Sequence, residues 1–113
     1  MSDCIFCRIA SGEIPARIAG RSEAAVAFHD LNPQAPTHVL VIPSRHFAGA
    51  NDTGGAAEVW PEVMGLAIRV AADLGLQENG YRLVVNQGRD GGQSVGHLHV
   101  HLLGGRRMTW PPG

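Results

Sequence analysis

The chain has 113 residues, 44% of them hydrophobic, with a formal net charge of −1 and nine basic residues that are all arginine. That length supports one compact domain spanning 1–113, and the balanced charge leaves no electrostatic footprint for nucleic acid or an anionic membrane. The lack of lysine excludes a P-loop and a lysine nucleophile. With only two cysteines, no charged apolar leader and no apolar run of membrane-spanning length, a cytoplasmic location is expected.

From Cys4 to Ser11 the spacing of Phe6, Ile9 and Ala10 predicts a short helix with one apolar side, stopped by Gly12 and Pro15. Strand-like runs follow at 16–20 and 24–29, joined as a hairpin by a polar turn at Arg21 and Ser22. Alternation in the second run places Val26, Phe28 and Asp30 on one side and Ala25, Ala27 and His29 on the other. The segment Asn32, Pro33, Gln34, Ala35, Pro36 interrupts regular structure before a central-strand run, His38 to Ile42, that Pro43 ends.

A loop from Asn51 to Gly55 leads into the only long helical pattern, about 57–74, where Val59, Val63, Leu66, Val70 and Leu74 make one apolar stripe. Pro61 fits in its first turn and Gly75 can end it. Another strand is predicted from Tyr81 to Asn86, then a loop over 87–95 containing Gly88, Gly91 and Gly92, then a strand carrying three histidines and a tail through Trp110 to Gly113. Five strands with one long connecting helix predict an α+β fold, an antiparallel sheet with its helices on one face.

Half of the six histidines alternate with aliphatic residues: His97, Leu98, His99, Val100, His101, Leu102. In an extended strand they share one face, and at about 3.3 Å per residue the outer two stand roughly 13 Å apart. One metal ion therefore cannot readily collect all three. Imidazole serves as general acid, base, nucleophile and metal ligand near neutral pH, so the row points to chemistry, divided between jobs. His99, central in the row, is the sensible attacker on phosphorus. Ser94, Asn86 and His101 are placed to orient phosphate oxygens or a leaving group, and Asp30 can accept hydrogen bonds from sugar hydroxyls. The loop before the row, including Gly92 and Gln93, is rich enough in glycine to let backbone N–H groups approach an anion.

Cys4 and Cys7 have the spacing of one half of a tetrahedral zinc site, with the other half to come from among the histidines. A redox pair and two uninvolved thiols are the alternatives.

These residues resemble the histidine triad superfamily, in its nucleotide-binding branch of purine nucleoside phosphoramidases. The likeness runs through Phe28, His29, Asp30 and the segment from Asn32 to His38, then Val85 and Asn86, the stretch from Gly91 to Val95, the triad, and Gly104 to the terminal Gly113. The resemblance implies that His99 attacks the α-phosphorus to form a nucleotidyl-histidine that water hydrolyses, with His101, Ser94 and Asn86 at the phosphate or leaving group. It implies that His38 belongs to a hydrogen-bonded histidine network behind the nucleophile, that Asp30 holds the ribose, and that Ile5, Phe6, Ile9, Phe28 and Leu31 line the base pocket. It further implies a structural zinc on Cys4, Cys7, His46 and His97 with no catalytic metal. A homodimer is implied too, with two five-stranded sheets joined as ten strands and the tail 104–113 reaching toward the partner.

The activity so implied is cleavage of the P–N bond of purine nucleoside 5′-monophosphoramidates, aminoacyl-adenylate-like substrates included. Dinucleoside polyphosphate hydrolysis or nucleotidyl transfer would use the same intermediate. A nucleotide-binding regulatory or scaffold protein, and a hydrolase with zinc bound directly by His99 and His101, are readings of other classes.

Overall fold

A computed structural model describes residues 3–113 of the chain. Helix α1 (Ile5–Ala10) is followed by strands β1 (Ile18–Arg21), β2 (Ala25–His29) and β3 (Thr37–Pro43), a 3-10 turn at Asn51–Thr53, the long helix α2 (Val59–Asp73), and strands β4 (Tyr81–Val85) and β5 (Val100–Gly104). The five strands form one antiparallel sheet in the order β1-β2-β3-β5-β4. Among the described residues no helix is long and apolar enough to cross a membrane.

The period-2 pattern divides the sheet into two faces. Ala25 and Ala27, Val39 and Val41, and Val100 and Leu102 are buried against Val63, Leu66, Ala67 and Val70 of α2. The alternate residues Val26, Phe28, Leu40 and Ile42 pack on Phe6 and Ile9 of α1. The two helices thus cover opposite faces, which corrects the expectation that both lie on one. Burial sets this arrangement: β2 and β3 are apolar on both sides, so each side needs a cover. With only six residues, α1 covers part of its face and leaves the rest open as a cleft.

Phe6 is buried and meets Phe28 edge-on with ring centroids 5.4 Å apart. Phe6→Ala is expected to cost about 3–5 kcal/mol in chemical denaturation, the usual range for a buried ring replaced by a cavity.

In α2 the stripe is Val59, Val63, Leu66, Ala67, Val70 and Ala71; Leu74, expected to complete it, is exposed at the C-cap. Gly75 turns the chain there with φ +75°, and Leu76 is the leucine that returns to the core. Pro61 stands in the first turn, where no intrahelical donor is needed. Glu62 of the same turn ties the β1–β2 hairpin to the helix: its Oε2 accepts from Ser22 Oγ at 2.6 Å and Ala24 N at 3.1 Å, and these two donors hold its carboxyl below the ordinary range.

The expected strand does not begin at His97, which stands at a bend: the ladder starts only at Val100, so His97 and His99 precede β5. The register explains this. Val41 opposes Val100, so continuation would set Pro43 opposite Leu98, and proline has no N–H to donate. Leu98 N–H bonds Phe47 O instead, at 2.7 Å.

Candidate active site and metal centre

On the face not covered by α2, cross-strand partners bring His38 beside Leu103 and Leu40 beside His101, with Val84 of β4 on the other flank of His101. This is the open part of the sheet. A cavity of about 500 Å³ sits over it, lined by Ile5, Phe6, Ile9 and Phe28 at an apolar end and by Asp30, His38, Ser94, His99 and His101 at a polar end. Leu31 is at its rim, fully exposed. The candidates Asn86, Gly92 and Gln93 are not in its wall. Asn86 lines a neighbouring cavity that shares His38 and His101.

Gln93 serves the loop instead. Its Nε2 donates to Ala48 O and Val95 O, and its Oε1 accepts from Gly88 N. Gly92 N donates to Arg89 O and Gln93 N to Gly88 O. The loop expected to offer N–H groups to an anion therefore turns several of them inward, and its residues in the main cavity are Ser94 and Val95.

The hydrogen bonds assign the ring tautomers. Gln34 N–H donates to His38 Nδ1 at 3.0 Å, so His38 carries its proton on Nε2 and donates it to His101 Nδ1, 2.9 Å away. Neutral His101 then holds its own N–H on Nε2. His99 Nδ1 is 2.8 Å from His97 O, an acceptor, so Nδ1–H donates and Nε2 is the lone-pair nitrogen. His38 thus stands behind His101, whose ring is 4.9 Å from that of His99, and not directly behind His99. The sequence shows no sign of Gln34 as the residue that orients this chain, because its contribution is a backbone N–H.

Burial lowers the pKa of His38, against a raising effect from Asp30, whose Oδ2 is 3.5 Å from His38 Nε2. Burial first, then the neighbouring His99 and His38, push His101 down to about 4, with Asp30 opposing. Above pH 6.5 His101 is neutral folded and unfolded and contributes nothing to pH dependence. As pH falls from about 6.5 toward 4 the unfolded chain takes up the proton first, so stability is lost across that window. The urea midpoint is expected to drop between pH 7 and pH 4.5, and to drop less in His101→Gln.

At the near end of α1, Cys4, Cys7, His46 and His97 bring one ligand atom each to within 4.8 Å of one another. His97 Nδ1 lies 3.2 Å from Cys4 Sγ, 3.5 Å from Cys7 Sγ and 3.1 Å from His46 Nδ1, while Cys7 Sγ is 3.3 Å from His46 Nδ1. Zinc bonds of about 2.0–2.3 Å imply ligand–ligand edges of roughly 3.3–3.8 Å, so the cluster is close to tetrahedral dimensions. His97 Nε2–H donates to Pro43 O at 3.0 Å, which leaves Nδ1 as the lone pair facing the cluster. The donor set fits a metal. Asp30, His38 and His101 also approach within 4.8 Å, but there the imidazoles are joined to each other by hydrogen bonds.

A family model described as the HIT domain matches residues 11–108. The chain belongs to the HIT domain family. A HIT family hydrolase from Legionella pneumophila Philadelphia 1 has the same fold, with TM-score 0.94 and 50% identity over 98% of this chain and 100% of that one. A 14 kDa zinc-binding protein of Zea mays is 47% identical over 99% of this chain and 89% of its own length. The purine nucleoside phosphoramidase of Escherichia coli (strain K12) is 44% identical, covering 94% of this chain and 90% of its own length. The HIT fold here is the five-stranded antiparallel sheet with its long helix, and the histidine row lies on the face that the long helix leaves open.

Proposed function

We propose that this chain hydrolyses the P–N bond of purine nucleoside 5′-monophosphoramidates through a nucleotidyl-histidine intermediate. The observation that carries the proposal is the tautomer of His99: its Nδ1–H is held by His97 O, and its lone-pair nitrogen belongs to a ring in the wall of a nucleotide-sized cavity. The name of the Escherichia coli relative supports the substrate class.

In this reading the purine lies among Ile5, Phe6, Ile9 and Phe28 under Leu31, and Asp30 accepts from ribose hydroxyls. His99 Nε2 attacks phosphorus as the P–N bond breaks, and the electron pair leaves with the amine. The amine takes a proton relayed by the Ser94 hydroxyl, which regains one from water. Neutral His101, oriented by His38, donates its N–H to a phosphate oxygen, with Asn86 alongside. Water then attacks phosphorus and gives up a proton to solvent, replacing the one Ser94 took up, while the bond to His99 breaks with its electron pair returning to Nε2 and nucleoside monophosphate is released.

The same reading places a structural zinc on Cys4, Cys7, His46 and His97, which clamps α1 and hence Phe6. It also includes a homodimer, since β1 and β4 each pair on one side only. The tail already lies near β4, where Arg82 Nη2 donates to Thr109 O at 2.8 Å. A substrate panel tests the function: adenosine and guanosine phosphoramidates should yield the monophosphate and free amine by phosphorus NMR. Faster cleavage of diadenosine polyphosphates than of every phosphoramidate would overturn it. Sedimentation checks the dimer, which a concentration-independent monomeric mass rules out.

A further inference from the structure

Asp30 directly follows β2, and its backbone ties it to the neighbouring strand: Asp30 N–H donates to His38 O at 2.9 Å. Its side chain is fixed as well. Oδ1 accepts from Asn32 N–H at 2.8 Å, an Asx turn that sets the carboxylate independently of any substrate contact, and Oδ2 then stands 3.5 Å from His38 Nε2. Asp30 is partly buried and His38 fully so. A line of polar contacts therefore runs from Asn32 N–H through the carboxylate to His38 and on to His101, the last three bringing one atom each to within 4.8 Å of one another.

The carboxylate faces a ring nitrogen whose proton matters to the proposed reaction. His38 offers His101 an N–H only while that proton is on Nε2, and two neighbours favour this form from opposite sides of the ring. Gln34 N–H occupies the lone pair of Nδ1, and the negative charge of Oδ2 lies beside Nε2–H. The 2.9 Å contact to His101 Nδ1 is the hydrogen bond; at 3.5 Å Oδ2 acts through its charge. That charge works the same way on both rings, raising the pKa of His38 and of His101 against burial. It also stabilises the positive character that His101 takes on as its Nε2–H is drawn toward a phosphoryl oxygen. An amide at position 30 would do the opposite. To keep the bond from Asn32 N–H it must turn its only oxygen there, and its NH2 then meets His38 Nε2–H, donor against donor.

We propose that Asp30, besides accepting from ribose hydroxyls, is a positioning residue for the phosphate-facing histidine: its carboxylate holds the His38 proton on Nε2 and so keeps His101 Nε2–H available to the phosphate. The proposal rests on the phosphoramidase reading and adds to it a residue that acts through His38.

The test separates the two duties of Asp30 by removing the hydroxyls. Asp30→Asn and the unsubstituted protein are compared on the 5′-phosphoramidates of adenosine and of 2′,3′-dideoxyadenosine. On the dideoxy substrate, which has no sugar hydroxyl for residue 30 to bind, Asp30→Asn should still lower kcat by about tenfold, the scale of one interaction with an ionised group, with KM little changed. In a His38→Ala background the same substitution should have no further effect on that substrate. Nitrogen NMR of the histidine rings in the free protein should find the His38 proton on Nε2 in the unsubstituted chain and shared between Nδ1 and Nε2 in Asp30→Asn. A loss confined to the ribose substrate, a loss carried by KM, or a loss undiminished in His38→Ala overturns the proposal and leaves Asp30 a ribose ligand alone. An unaltered His38 tautomer in Asp30→Asn overturns it as well. If the unsubstituted protein cleaves no phosphoramidate, the function reading fails, and the NMR comparison still decides whether the carboxylate holds the proton.

Discussion

His99→Ala and His99→Asn are expected to lower the turnover of an adenosine 5′-phosphoramidate by about 10⁶-fold, the scale on which removal of an enzyme's nucleophile is felt. Asn is the more informative variant, because its amide can still donate to His97 O while offering no basic nitrogen to phosphorus. Rapid quenching and intact-mass spectrometry should show a nucleotidyl adduct in the unsubstituted protein and none in either variant. Turnover that survives both substitutions would sink the covalent route. His38→Ala should have a smaller effect, expressed through His101, since it frees His101 Nδ1 and with it the fixed tautomer.

The second large effect concerns the metal. Cys4→Ser and Cys7→Ser are expected to drop bound zinc from one per chain to well below stoichiometry, and to cost about 3 kcal/mol, seen as a fall in Tm of about 12 °C. The cost reaches beyond the cluster. Cys4 caps α1 and Cys7 lies within it, so the helix that buries Phe6 and Ile9 is held at one end by these thiols. His97 is continuous with His99 through the 2.8 Å bond from His99 Nδ1 to His97 O. Elemental analysis of protein purified without added zinc checks occupancy. Chelation separates the roles: a structural ion leaves adduct formation intact at low temperature while the Tm falls, whereas a metal on His99 and His101 would take the chemistry with it at once.

How much was legible in the sequence differs from element to element, for physical reasons. Local periodicity reported the strands well: Val26 and Phe28 do face away from Ala25 and Ala27, and Leu98, Val100 and Leu102 do fill one side of the histidine segment. Periodicity carries no information on which side of a sheet a helix chooses, so α1 and α2 were expected together and are found apart. The start of β5 was equally hidden, since it depends on Pro43, 57 positions before Val100, having no N–H to give. Gln93 was expected at an anion. Its amide instead joins three backbone groups of two loops whose proximity only the fold creates.

By itself the sequence determined the α+β class, the apolar and polar faces and the identity of the chemical groups, because side-chain period and residue type are local properties. Tertiary structure decided how those groups are partnered. It set His97 Nδ1 toward the cysteines by holding Nε2 on Pro43 O, fixed the lone pair of His99 on Nε2, and placed His38 behind His101. A proton's position on a ring is set by neighbours remote in sequence, and only the folded chain brings those neighbours within reach.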